Sequence, residues 1–182
     1  AASGISQESK ENCSSGVTPA NLVYTLFTSG STGTPKGVLI EHRQLLNYVE
    51  GVRERLQLPA DASFATVSSY AADLGNTAIF PALLSGGCLH IVSQDRVMDP
   101  GAMAEYGERH GVDCLKIVPS HLAALLSAPR PERVLPRQRL VLGGEASTWD
   151  LVSRIETMSP ACQIMNHYGP TETTVGVLTY RH

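Results

Sequence analysis

Long apolar runs are missing from this sequence. Stretches such as Ile79–Leu84 and Leu122–Leu126 fall far short of the roughly 20 residues that cross a bilayer. No charged-then-apolar start resembles a signal peptide. Charge of one sign is missing too. The 14 Lys and Arg against 17 Asp and Glu leave a net charge of -3. With no basic run to track a phosphate backbone, neither a nucleic acid nor an anionic membrane is expected as partner. Cysteine pairs are also absent: Cys13, Cys88, Cys114 and Cys162 are widely spaced with no CxxC. That spacing gives no metal or disulfide framework, and buried thiols in a cytoplasmic protein are the expectation.

What is present is 182 residues with a hydrophobic fraction of 42%, enough for one domain with a real core. Residues 1–20 are Ser-, Gly- and Glu-containing without apolar periodicity, and read as a linker or frayed terminus. From Asn21 onward strand and helix patterns alternate. Leu22–Thr28 and Val38–Ile40 read as strands around a Gly/Ser/Thr-rich turn. His42–Leu56 reads as an amphipathic helix with Leu45, Leu46, Val49, Val52 and Leu56 at near-helical spacing. Further strands are expected at Phe64–Ser68, Cys88–Val92, Cys114–Val118, Leu140–Leu142, Gln163–His167 and Val175–Tyr180. Between them, helices are expected over Thr77–Leu84, from Asp99-Pro100 to His110, over Leu122–Ala128 capped by Ser120, and to Met158 with Ser147 and Asp150 as the cap. This alternation predicts an α/β fold, a mainly parallel sheet with helices on both faces. Ligands of such sheets collect at the carboxyl ends of the strands.

The unusual residues fall at those ends. Thr28-Ser29-Gly30-Ser31-Thr32-Gly33-Thr34-Pro35-Lys36-Gly37 follows a strand. Its glycines let backbone amides approach an anion, its hydroxyls add donors, and Lys36 adds a full charge. The loop suits a polyphosphate. It is not a Walker loop, because Pro35 precedes the lysine and Gly37 stands where Ser or Thr would hold Mg²⁺.

This decapeptide resembles the signature of the adenylate-forming superfamily, which holds acyl-CoA synthetases, luciferases and the adenylation domains of nonribosomal peptide synthetases. Two more segments resemble its motifs in the right order. Leu142-Gly143-Gly144-Glu145-Ala146 is similar to the adenine-contacting turn, and Asn166-His167-Tyr168-Gly169-Pro170-Thr171-Glu172-Thr173-Thr174 to the second nucleotide motif. The resemblance covers residues 21–182, read as a partial adenylation core.

The resemblance implies ATP and Mg²⁺ as cofactors. The loop from Thr28 to Lys36 would close over the β- and γ-phosphates, Tyr168 would stack on adenine beside Asn166 and Gly169, Thr171 would meet the α-phosphate, and Glu172 would coordinate Mg²⁺. An aromatic face suits a base, and a carboxylate beside phosphate oxygens needs a cation between them. The implied reaction is attack of a carboxylate on the α-phosphorus of ATP. Lys36, Thr171 and Glu172 would serve by charge neutralisation and alignment. The acyl group would then pass to phosphopantetheine on a peptidyl carrier protein. The family's ribose-binding Asp motif, hinge and C-terminal lysine do not occur in these residues. Weak ATP binding and little turnover are therefore expected without the remaining parts of the domain.

The family's side-chain pocket, carried over by spacing, comprises Asp73, Leu74, Thr77, Lys116, Val141, Gly143, His167, Val175 and Gly176. Asp73 would pair with a substrate α-ammonium, although Ala72 stands where the family usually has an aromatic. Alternatively it caps the helix that follows. Lys116 lies in the otherwise apolar Cys114–Val118, where a buried ammonium needs an anion. With His167 as a further donor, the set resembles the pattern for aspartate. Asparagine is the nearest competitor, and the other alternative is that Lys116 pairs with an internal carboxylate or reaches solvent. Two wider alternatives are a carboxylic-acid:CoA ligase of the same superfamily and a non-catalytic scaffold in a megasynthase.

Overall fold

The computed structural model describes residues 4, 7–29 and 33–182. Residues 7–20 are exposed and carry neither helix nor strand. The first regular elements are β1 (Leu22–Thr28) and β2 (Lys36–Glu41), an antiparallel hairpin with Thr28 opposite Lys36. This hairpin forms its own two-stranded sheet.

The chain then enters α1 (His42–Leu56), which begins on a capping box. The Glu41 side chain accepts from the backbone of Gln44, and the Gln44 side chain accepts from the Glu41 amide at 2.7 Å. Its buried face is Leu45, Tyr48, Val49, Val52 and Leu56, each large side chain contributing about 1.5–3 kcal/mol. Leu46, expected on that face, is 51% exposed, because the i, i+3, i+4 stripe runs through Tyr48 instead.

The main sheet has six strands in the order β4-β3-β5-β6-β7-β8. These are β3 (Ser63–Thr66), β4 (Cys88–Ile91), β5 (Cys114–Ile117), β6 (Arg139–Gly143), β7 (Gln163–Tyr168) and β8 (Leu178–Arg181). All neighbours pair in parallel except β8, which runs antiparallel to β7. The intervening helices are α2 (Asn76–Ser85), α3 (Gln94–Val97), α4 (Pro100–His110), α5 (Pro119–Leu125) and α6 (Trp149–Met158), with short 3-10 turns at Asp73–Gly75, Pro131–Val134 and Thr171–Thr173.

Strand side chains alternate between two cores, as period-two geometry requires. Leu115, Ile117, Leu140, Leu142 and Ile164 face one core with Met103 of α4, Leu122 of α5 and Ile155 of α6. Phe64, Cys114, Val141 and Met165 face the other, with Val49 of α1 and Ala78 of α2. Helices therefore cover both faces, and near-continuous apolar strands are the result.

Several sequence expectations change at element ends. Ser120 does not cap a helix: α5 begins at Pro119, and the Ser120 amide and hydroxyl both donate to Glu145. Thr148, not Ser147, caps α6 by accepting from the Leu151 amide, while Ser147 donates to Asn166. Asp99 does cap α4, accepting from Ala102 at 2.8 Å. The last strand starts at Leu178, not Val175, because Thr174 and Val175 have φ of 63 and 66. The Gly176 amide donates back to the Thr174 carbonyl at 2.7 Å, closing a γ-turn around a β-branched residue. Among the thiols only Cys114 and Cys162 are buried; Cys13 and Cys88 are exposed. No helix among the described residues is long and apolar enough to cross a membrane.

Candidate active site

The carboxyl ends of β3, β5, β6 and β7 open into a cavity of about 820 Å³. Asp73, Leu74, Lys116, His167 and Val175 line it together with Gly144, Gly169 and Thr171. These residues come from five separate stretches of sequence. Lys116 lies mid-strand in β5, only 1% exposed. It points away from the Leu115–Ile117 core, on the same side as Cys114 and Val141. Its Nζ lies 3.0 Å from Nδ1 of His167 on β7.

That approach is possible because two neighbours are glycines. A Cβ on Gly143 would overlap Lys116 Nζ, and one on Gly176 would overlap the His167 ring. His167 also packs against Tyr48, with ring centroids 5.8 Å apart. The Tyr48 hydroxyl shares a 2.8 Å hydrogen bond with Thr77. Thr77 and Val141 thus support the pocket from behind and do not line it.

Burial sets the electrostatics. It pulls the Lys116 amine down to about 7, against a raising influence from Cys114 and Asp73. Burial, with Lys116 close by, holds His167 at about 3. His167 is therefore neutral and adds no second cation to the pocket. Asp73 belongs to the 3-10 turn and makes no side-chain cap bond. Its Oδ2 is buried without a hydrogen-bond partner. Its pKa is raised, by desolvation first, with the Val175 backbone, Thr171 and Lys116 pulling the other way. Those groups sit close enough to stabilise the charge but outside bonding geometry to Oδ2. A buried, unpaired carboxylate oxygen calls for a cationic or hydrogen-bonding ligand.

A second cavity of about 830 Å³ adjoins the first, and the two share Gly144, His167, Gly169 and Pro170. Its other lining includes Glu145, Asn166, Tyr168 and Tyr180. Tyr168 is 66% exposed, an open aromatic face. Glu145 is held by two bonds from Ser120, at 3.1 and 2.9 Å. The Asn166 amide is fixed by Ser147 at 2.9 Å and lies 3.2 Å from His182.

The hairpin residues stand apart in these terms. Thr28 ends β1, Lys36 begins β2, and Ser29, Gly33 and Lys36 are exposed. None lines either cavity. Gly30, Ser31 and Thr32 lie outside the described residues. Glu172 is exposed in its 3-10 turn. Among the described residues no group of three or more His, Cys, Asp or Glu side chains is placed to hold a metal. A Mg²⁺ on Glu172 would take further ligands from phosphate oxygens and water, which suits its oxygen preference.

Sequence reasoning did not single out Tyr48, Thr66 or Tyr24. Thr66 pairs with Lys116 across the sheet, and its hydroxyl is buried without a partner. Tyr24 lies beside Asp73, and its hydroxyl is likewise buried and unpartnered. Only the polar atoms of Tyr48 and Thr66 within apolar runs signalled them. Trp149 is 70% exposed, its ring close to perpendicular to that of His182.

Comparison with known proteins gives the family and the fold. The family model described as AMP-binding enzyme matches residues 2–182. Surfactin synthase subunit 2 of Bacillus subtilis (strain 168) is 41% identical over 177 residues, covering 96% of this chain and 5% of the relative. Bacitracin synthase 1 of Bacillus licheniformis is 35% identical over 175 residues, covering 94% and 3%. The chain thus spans a few per cent of the relatives it matches. Among solved structures, the Vibrio cholerae adenylation domain AlmE, in complex with glycyl-adenosine-5'-phosphate, superposes with a TM-score of 0.77 at 26% identity. That match covers 90% of this chain and 31% of AlmE. An NRPS protein containing adenylation and PCP domains gives 0.79 at 25% identity, covering 94% and 34%. With a family model matching nearly the whole chain, relatives at this degree of identity and the same fold, the chain belongs to the AMP-binding enzyme family and has the fold of nonribosomal peptide synthetase adenylation domains.

Proposed function

We propose that this chain is the nucleotide- and amino-acid-binding core of an ATP-dependent adenylating domain, and that its substrate is L-aspartate. The observation that carries the reading is the gathering of Asp73, Lys116 and His167 around one cavity. Asp73 offers a carboxylate for an α-ammonium. Lys116 offers a nitrogen for a side-chain carboxylate. Leu74 and Val175 supply apolar walls. A fatty or aryl acid would leave Asp73 and Lys116 unmatched, a costly arrangement in a buried site.

The adjoining cavity takes the nucleotide in this reading. Tyr168 gives the base a flat face, and Gly144 and Asn166 border it. Gly169 lies in the wall common to both cavities, and Thr171 meets the α-phosphate. The hairpin from Thr28 to Lys36 binds the outer phosphates, and Glu172 holds Mg²⁺. Mg²⁺ would supply neutralisation of phosphate charge. The residues hold the amino-acid carboxylate and the α-phosphorus together for attack, a matter of alignment more than covalent chemistry. Residues 1–20 act as a linker, the core spans residues 21–182, and the domain works in the cytoplasm beside a phosphopantetheine-bearing carrier protein.

The test is exchange of pyrophosphate into ATP by the intact protein, with aspartate compared against asparagine, glutamate and simple acids. Aspartate is expected to lead, and Lys116→Ala to lose that preference. Activation of acids lacking an amine would instead favour a CoA ligase. Unchanged selectivity in Lys116→Ala would sink the aspartate reading.

A further inference from the structure

We propose that the pocket takes up its acidic substrate together with a proton, Lys116 standing as a neutral amine when the pocket is empty and becoming an ammonium when a side-chain carboxylate arrives. The proposal rests on the reading of this cavity as the amino-acid pocket. On binding, the lone pair of Lys116 Nζ takes one proton from solvent, and the ammonium so formed pairs with the ligand's carboxylate. Without the ligand, Lys116 is almost wholly buried, and its hydrogen-bond neighbour is the neutral imidazole of His167. No carboxylate comes within ion-pair distance of it among the described residues. A buried ammonium without an anion sheds its proton.

The groups facing Lys116 do not supply the missing charge. On its own strand Cys114 is buried and pushed up to about 12, so where the amine titrates it is an uncharged thiol and the raising influence its thiolate would have on Lys116 is absent. From β7, His167 is neutral. From α1, the Tyr48 hydroxyl is raised well above its ordinary value and stays protonated. β3 presents Thr66, and β6 presents Gly143, neither of which titrates. The 3-10 turn presents Asp73, which draws the amine back upward only in part. The resulting value for Lys116, about 7, lies in the physiological range.

Asp73 is the other group that would exchange protons, in the opposite sense. An arriving α-ammonium favours its ionised form and releases a proton. Asparagine carries the same α-ammonium without the side-chain charge. Subtracting the asparagine proton count from that of aspartate therefore isolates Lys116.

The experiment is titration calorimetry on the intact protein at pH 8, in two buffers of different ionisation enthalpy. Aspartate is expected to bind with about 0.9 more protons than asparagine, given a Lys116 pKa of about 7. Between pH 6 and pH 9 the aspartate-to-asparagine affinity ratio should fall by roughly ninetyfold, from the same pKa. Selective aspartate binding with equal proton counts and a flat ratio overturns the proposal and leaves the substrate reading standing. Failure to prefer aspartate at any pH overturns the substrate reading. The amine is then read directly from its carbon-13 lysine resonance in the ligand-free protein, assigned by its loss in Lys116→Met. A midpoint near neutrality supports the proposal; an ordinary lysine midpoint overturns it.

Discussion

Replacing Lys116 by Met should stabilise the folded protein, and the gain should shrink as pH rises. Met matches lysine in length and lack of branching but carries no charge to desolvate. In the unfolded chain Lys116 titrates near its ordinary 10.5, whereas in the fold burial brings it to about 7. Between those values the unfolded state binds more protons than the folded one. Wild-type stability therefore rises with pH across that window, whereas the Met variant gains nothing there.

Well below pH 7 the cost of the lysine is at its full extent, on the order of 5 kcal/mol from the separation of the two pKa values. From pH 7 to pH 9 it should fall by about 2 kcal/mol. The variant also deprives His167 of its partner, a loss of about 1–3 kcal/mol, but that offset does not vary with pH above neutrality. Urea unfolding of both forms, followed by circular dichroism at several pH values between 6.5 and 9, measures the difference. A stability difference that stays constant across the range would refute the argument, because Lys116 would then ionise as it does in water.

Two further outcomes follow from other contacts. Asp113 accepts from the Ser63 amide and hydroxyl at 2.9 and 3.0 Å and from Gln138 at 3.2 Å, so Asp113→Ala should cost about 2 kcal/mol in denaturant unfolding. Its folded pKa is lowered, by those bonds outweighing burial. Its contribution is thus complete above the unfolded carboxylate value and fades as pH falls through the folded one; an acid midpoint unmoved by the variant would contradict this. Gly176→Ala would push a Cβ into the His167 ring and should lower pyrophosphate exchange at least tenfold, by displacing a pocket wall by a fraction of an ångström to an ångström. Wild-type exchange in that variant would show that the ring moves freely.

Much of the architecture was legible in the residues, because each strand of the parallel sheet is short, apolar and bounded by turn formers. The isolated lysine of Cys114–Val118 stood out for the same reason: charge in an interior strand has few explanations. What the sequence concealed lies in contacts between distant segments. Ser120 and Ser147 look like helix caps by local spacing, yet their hydroxyls are engaged by Glu145 and Asn166, 25 and 19 residues away. Local pattern cannot weigh a cap against a partner that only folding brings near. The Lys116–His167 bond, across 51 residues, was likewise foreseen only as two groups in one pocket. That one would be neutral and joined to the other required the burial of both. Val175 read as strand because β-branched residues prefer extended backbone, and its positive φ is set by the turn that brings Gly176 against the imidazole.

The two bare backbone positions flanking the lysine–imidazole pair have a consequence for how this pocket could be re-purposed. Shortening Lys116 alone would leave a cavity beside His167, and enlarging Gly143 alone would collide with the amine and with the His167 carbonyl. Each of these two single steps therefore carries a cost that a coupled change would avoid. Selection for a new side chain would proceed by paired replacements, with the residue at 143 growing only as Lys116 and the His167 carbonyl give way, and the one at 176 only as the His167 ring does.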